Sequence, residues 1–253
     1  MDRFHLIDQY LGSIQDIDVA HLEPGEYAVV ETSRRLRCEQ SYSFVHALLG
    51  LIFSDGRIAF SVMPGVASEV ISLLGQQSLN IKQPFEQDWV DNLANCVRQA
   101  RVQAGLSPSR EVSESLCFAC DKTLVRRWYQ GDCRRLTDER IPPIAGLFLP
   151  THCFPDGIVY GVIQDNHIVS VAYAHKTKIM EDQVADLGVE TAASYRKQGY
   201  AKTAVSAVTS HMTSLGGEAI YMCNKDNQAS IATASSVGYE LYARKIVISA
   251  SGN

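Results

Sequence analysis

No stretch of this sequence stays apolar for long enough to span a bilayer, and Met1-Asp2-Arg3 leads into no secretory core. Excess positive charge is also lacking. Lys and Arg number 23 against 28 Asp and Glu, for a formal net charge of −5. Nothing therefore draws the chain as a whole to nucleic acid or to an anionic membrane, and an anionic ligand has to be captured locally. There is no helix-turn-helix pattern, and the one short basic and aromatic run, Arg126-Arg127-Trp128-Tyr129, reads as a solvated linker. Paired metal-ligand spacings are scarce too. Cys117-Phe118-Ala119-Cys120 is a CxxC, but Cys133 and His152-Cys153 supply no second paired spacing, and Phe118 and Ala119 suit a buried strand. No metal is expected, and the thiols read as buried and structural. Seven cysteines, an odd number without a leader, point to reduced thiols and a cytoplasmic location.

What is present is ordinary in bulk. The 253 residues are 46% hydrophobic and 20% charged, enough for one large domain or two small ones. Phe4, Ile7 and Leu11 predict a short helix, and Pro24-Gly25 breaks the chain after it. Tyr27 to Leu36 is β-prone in its first half. Phe44 to Phe53 and Arg57 to Met63 flank Ser54-Asp55-Gly56, a hairpin signal. Pro64 opens a helix through Leu74, and Pro84 opens another that carries Trp89, Leu93, Cys96 and Val97 on one face. A strand over Ser115 to Val125 completes an α+β module, residues 1–125, with no chemical signature.

The second module, residues 126–253, is more regular. Arg134 to Thr137 predicts a strand, and Asp138 an N-cap for a helix reaching toward Phe148. Gly157 to Gln164 and His167 to His175 predict two strands joined by a tight turn at Asp165-Asn166. Val184 to Thr191 predicts a third. Tyr200 to Leu215 follows as a helix with Ala204, Val205, Val208 and Met212 on its apolar stripe, closed by Gly216-Gly217. Ala219 to Cys223 is a short buried strand, Gln228 to Ser236 a helix stopped by Gly238, and Tyr239 to Ser249 the last β segment. The order β-β-β-α-β-α-β predicts a mixed sheet flanked by helices.

Arg196 to Ala201 lies at the entry to the Tyr200 helix, where the first backbone N–H groups have no intrahelical partner. Gly199 lets the backbone come close to a ligand. The positive end of the helix dipole suits an anion such as a pyrophosphate, and Arg196, Lys197 and Lys202 add cationic side chains.

Three groups of residues resemble the GCN5-related N-acetyltransferase (GNAT) family. They are Leu187-Gly188-Val189-Glu190-Thr191 followed by Tyr195-Arg196-Lys197-Gln198-Gly199-Tyr200-Ala201, then Asn227-Gln228-Ala229-Ser230, and lastly Val237-Gly238-Tyr239. The resemblance covers Arg134 to Ser249 and looks nearest to a bacterial branch poorly defined by substrate. It implies a mixed α/β fold, acetyl-CoA as co-substrate, and direct attack of an amine on the thioester in a ternary complex.

By that resemblance Arg196, Lys197, Gln198, Gly199, Tyr200 and Ala201 hold the pyrophosphate. Val189 and Thr191 pair through their backbone with the pantetheine arm, and Asn227 and Ser230 line its channel. Glu190, at the strand end, is the leading candidate for the base, with Asp186 as second option; an ordinary surface glutamate is the competing reading. Many relatives carry a tyrosine in the helix after the motif asparagine that protonates the leaving thiolate, and Ala234 stands there in this chain. Tyr242 is the candidate replacement, because Tyr239 reads as a core aromatic. The expected partners are an amine on a small molecule or a protein, and a second copy of the chain as a homodimer. His175 is a minor candidate for the acceptor cleft. The rival expectation is an acyl-CoA-binding or structural module without turnover, which Ala234 favours.

Overall fold

The computed structural model describes residues 3–37, 44–76, 79–137, 142–147, 157–176 and 183–251. In chain order its elements are α1 (His5–Ser13), β1 (Tyr27–Glu31), β2 (Phe44–Phe53), β3 (Ile58–Val62), α2 (Ala67–Leu74), α3 (Gln87–Gln103), β4 (Ser109–Cys120), β5 (Asp132–Arg135), β6 (Ile158–Gln164), β7 (His167–Lys176), β8 (Val184–Thr191), α4 (Tyr200–Ser214), β9 (Glu218–Asn224), α5 (Gln228–Val237) and β10 (Glu240–Ser251). The chain forms two compact units, and neither is one continuous stretch. The larger comprises Met1–Tyr10 and Cys117–Leu241, the smaller Leu11–Leu116 and Tyr242–Asn253. This division differs from two consecutive modules meeting at residue 125, because the start and the end of the chain each belong to the unit built mainly from the other half.

In the larger unit β5, β6, β7 and β8 pair antiparallel in sequence, and β9 joins β8 in parallel, which makes the sheet mixed. Asp165 and Asn166 both take positive φ, 49° and 65°, as a two-residue hairpin turn between right-twisted strands requires. The apolar stripe predicted for α4 is buried, with Ala204, Val205 and Val208 at 0% exposure and Met212 at 4%. Tyr160 of β6 hydrogen-bonds His211 of α4, and the Gly131 backbone lies against Val162 and Tyr200, so α4 covers the sheet face that carries Tyr160 and Val162. The opposite face is packed by Leu136, Val159, Ile163, Ile168 and Val171.

Residues 142–147 depart from the helix predicted toward Phe148. Ile144 makes a parallel bridge to Ile168, and the Ile168 N–H donates to the Pro143 carbonyl. Pro142 and Pro143 have no N–H to give a helix, so the segment runs extended instead. Asp138 and Phe148 themselves lie outside the described residues. Residues Cys117 and Cys120 sit three apart on β4 and so face opposite sides of the strand, both fully buried. Burial pushes the Cys120 thiol up to about 12 and the Cys133 thiol up to about 11, which keeps both protonated. His152 and Cys153 lie outside the described residues, as does the side chain of His175.

The start of the chain is tied down within this unit. Arg3 pairs with Asp121 at 3.0 Å and Thr123 at 2.8 Å, and the Ile7 N–H donates to the buried Glu218 carboxylate at 3.0 Å. In the smaller unit β1 pairs β3 in parallel, while β2 pairs antiparallel with both β3 and β10. Its core gathers Phe60, Met63, Val70, Trp89, Leu93 and Ile246. Glu31 accepts from the Gly65, Val66 and Ala67 N–H groups and so holds the first turn of α2. Those three backbone donors bring its carboxyl below the usual range despite some burial.

Candidate active site

Strands β8 and β9 pair only from Val184 to Asp186 against Glu218 to Ile220, although β8 runs on to Thr191 and β9 to Asn224. Beyond Asp186 the two strands diverge into a fork. The phase of β8 fixes which backbone groups line it. The Ala192 N–H donates to Val169 at 2.9 Å, and Glu190 lies opposite Val171 in register. In an antiparallel ladder alternate residues therefore direct both backbone groups at β7, and the residues between them turn outward. Val189 and Thr191 are the outward ones, so their backbone groups face the fork. The Thr191 carbonyl is already engaged, accepting from Arg196 Nε at 3.1 Å.

The same phase separates the side chains. Glu190 points to the face that carries Val171 and Tyr173, away from α4, and its side chain is half-buried. Its carbonyl accepts from the Ser170 hydroxyl at 3.1 Å, which pins the strand end. Gly188 lies beneath the Tyr173 ring, and any Cβ there would run into that ring. Asp186 shares the Glu190 face, deeper along the strand where β8 and β9 are still paired.

Past β8 a single 3-10 turn, Ala193–Tyr195, leads into the loop Arg196-Lys197-Gln198-Gly199. Lys197 and Gly199 both take left-handed backbone conformations, φ 62° and 88°. For Lys197 that conformation costs energy that a glycine would avoid, a feature that concentrates at binding loops. Gly199 is the N-cap of α4, no side chain caps the helix, and the first turn holds no acidic residue. The opening N–H groups of α4 thus point out of the helix beside exposed Arg196, Lys197 and Gln198. The Lys202 ammonium stands over the Trp128 ring, 4.4 Å from its centroid, and Trp128 is itself anchored to Ser206 and Ser236. A cation is thereby held at the start of α4. The aromatic support of Lys202 leaves no local trace in the sequence, since Trp128 lies far back in the chain.

Asn227 caps α5 with its side-chain oxygen, which accepts from the Ser230 N–H at 3.1 Å. Only its amide NH2 remains to donate to a ligand. Ala234 is fully buried. Tyr242 belongs to the smaller unit. It is 7% exposed, its hydroxyl accepts from buried Arg57 at 3.1 Å, and its ring packs edge-on against Phe53. A hydroxyl held by a guanidinium in a core serves the packing of that unit. The sequence pattern places Tyr221 only within a buried strand. It is the first β9 residue of the fork, and a tyrosine in an otherwise apolar run is the signal the sequence offers.

A cavity of about 620 Å³ runs along the middle and end of α4, lined by Trp128, Cys133, Tyr160 and His211 among others. It contains none of the residues predicted for the site. Burial, with help from Arg135, keeps His211 below its ordinary range and favours the neutral imidazole.

An open strand edge that leads from an uncapped helix N-terminus can take an extended ligand ending in phosphate, with its other end delivered through the sheet toward Glu190. The arrangement belongs to a mixed α/β sheet flanked by helices. Residues 124–239 match the Acetyltransferase (GNAT) family, a span that falls inside the larger unit. Similar solved structures include a GNAT-family acetyltransferase from Colwellia psychrerythraea, at 15% identity, 75% coverage of each chain and a TM-score of 0.47. A GCN5-related N-acetyltransferase from Kribbella flavida is 16% identical, over 69% of this chain and 80% of its own, with a TM-score of 0.42. The yncA protein of Salmonella typhimurium, solved with its cofactor acetyl-CoA, is 11% identical over 38% of this chain and 65% of its own, with a TM-score of 0.32. No curated protein matches the chain.

Proposed function

We propose that the chain transfers the acetyl group of acetyl-CoA to an amine by direct attack within a ternary complex. The observation that carries this reading is the fork between β8 and β9, which opens directly beside the uncapped start of α4. Arg196 to Ala201 cradle the pyrophosphate with backbone N–H groups, and Arg196, Lys197 and Lys202 balance its charge. The Val189 N–H and C=O and the Thr191 N–H face the fork and pair with the pantetheine amides. Asn227 donates through its amide from the rim of the fork, and Ser230 stands in the first turn of α5 beside it. Acetyl-CoA supplies an activated thioester; the remaining work belongs to the chain.

Glu190 stands on the face away from α4, so cofactor and acceptor approach from opposite sides of the sheet. An amine enters protonated at neutral pH and must lose a proton before it can attack, and Glu190 is the carboxylate at hand to take it. The acceptor is an amine on a small molecule or a protein. A second reading, an acyl-CoA-binding module without turnover, is favoured by two observations: Ala234 is buried, and the Tyr242 hydroxyl is held by Arg57.

Release of free coenzyme A thiol from acetyl-CoA, followed over a panel of small amines and amine-bearing peptides, separates the two. Amine-dependent release supports transfer. Binding of acetyl-CoA without release on any acceptor supports the second reading.

A further inference from the structure

Among the buried polar side chains of the larger unit, Tyr221 is an expensive one to keep. It is 2% exposed, and its hydroxyl is fully buried with no hydrogen-bond partner among the described residues. A buried, unsatisfied hydroxyl costs stability that a phenylalanine at the same place would not. The neighbouring Tyr239 shows the ordinary solution. Its ring meets that of Tyr221 edge-on at 5.8 Å, and its hydroxyl is tied to Thr209 at 2.7 Å. The Tyr221 ring is therefore held in place while its hydroxyl is left open.

The position of that hydroxyl is specific. Ile220 is the last β9 residue paired with β8, so Tyr221 is the first residue of the fork. Alternation puts its side chain on the face that α4 covers, with Leu187 and Val189. The Ser230 side chain, in the first turn of α5, acts on this hydroxyl as a hydrogen-bonding neighbour and favours its ionised form, but the pair falls short of full hydrogen-bond geometry. Burial outweighs that influence and holds the phenol protonated, so it has a proton to donate.

Resting on the acetyl-CoA reading above, we propose that the Tyr221 hydroxyl is completed by the ligand, donating a hydrogen bond to the acyl-carrying arm of coenzyme A as it passes through the fork. The fold keeps a donor unsatisfied and the arm satisfies it. The contact is made from the strand, on the side of the fork opposite the Val189 backbone. No proton is transferred in this role, and Tyr221 acts by holding and polarising the arm.

Tyr221→Phe tests this by calorimetric titration with acetyl-CoA and, separately, with 3′-phospho-ADP, which has the phosphates and lacks the arm. The variant should melt no lower than the wild type when free, because it removes an unsatisfied group. It should bind acetyl-CoA about five- to tenfold more weakly, about 1–1.4 kcal/mol, and bind 3′-phospho-ADP unchanged. Tyr239→Phe is the control: it should melt lower and keep its acetyl-CoA affinity. Unchanged acetyl-CoA affinity in Tyr221→Phe overturns the proposal. So does an equal loss for both ligands, or a lower melting temperature of the free variant, since either would mean that the hydroxyl serves the fold. Wild-type protein that binds neither ligand would instead overturn the acetyl-CoA reading itself.

Discussion

At the scale of single residues, the site divides into groups whose place follows from local rules and groups set by distant partners. Gly199 and Asn227 are of the first kind. A positive φ at a helix entry suits glycine, and an asparagine suits an N-cap, so each place follows from a rule local to its own position. Tyr242 is of the second kind, because its partner Arg57 is 185 residues away and no local pattern announces it. Glu190 falls between the two, since its residue type was legible and its face became so only with the β7–β8 register. Glu190→Gln should lower turnover by about 10²-fold while leaving acetyl-CoA affinity unchanged, because the amide keeps the shape and cannot take a proton. Initial rates at saturating acetyl-CoA, beside a binding titration, check both halves. Gly188→Ala should cost about 1–3 kcal/mol, because the Tyr173 ring occupies the space a Cβ would need. Urea unfolding measures it.

At the scale of elements, the strands and helices carried by periodicity and by turn residues were read correctly from sequence, as the Asp165-Asn166 hairpin and the buried stripe of α4 show. The element misread among the described residues is the segment 142–147, where an N-cap candidate suggested a helix that two prolines forbid. Strand β4 runs Ser109–Cys120 and not over Ser115 to Val125: exposed positions such as Glu111 and Ser113 can belong to a strand, and the Asp121 carboxylate, accepting from the Thr123 and Leu124 N–H groups, turns the chain out of it before Val125. The α4 entry is where element geometry meets function. Gly199→Asp keeps a residue type that favours helix N-caps, yet the left-handed φ of 88° is wrong for a capping aspartate and the new charge opposes a phosphate. The variant should fold with a lowered melting temperature and lose the thermal shift given by acetyl-CoA. A retained shift in differential scanning fluorimetry would mean that the phosphates bind elsewhere.

At the scale of the molecule, the sequence reads as two consecutive modules, and the structure groups each terminus with the unit formed mainly by the other half of the chain. Long-range strand and helix assignments of this kind leave no periodic trace, because α1 and β10 have the amphipathic patterns they would need in either unit. One consequence is measurable. Glu218 receives α1 through the Ile7 N–H, and burial raises its carboxyl above the ordinary value of 4.5 despite that donor and nearby His5. The folded state therefore binds this proton more tightly than the unfolded chain does. Its contribution to stability should fall as pH rises from about 4.5 through the raised folded value, and be flat above it. Glu218→Gln should remove that fall, which chemical denaturation of both proteins across the interval would reveal; identical pH profiles would contradict it.

The whole arrangement of fork, uncapped helix and opposed carboxylate rests on one ligand. Isothermal titration of the wild-type chain with acetyl-CoA is the most direct measurement: saturable binding at one site per chain is the expected result, and no detectable heat or melting shift with either acetyl-CoA or coenzyme A would contradict it.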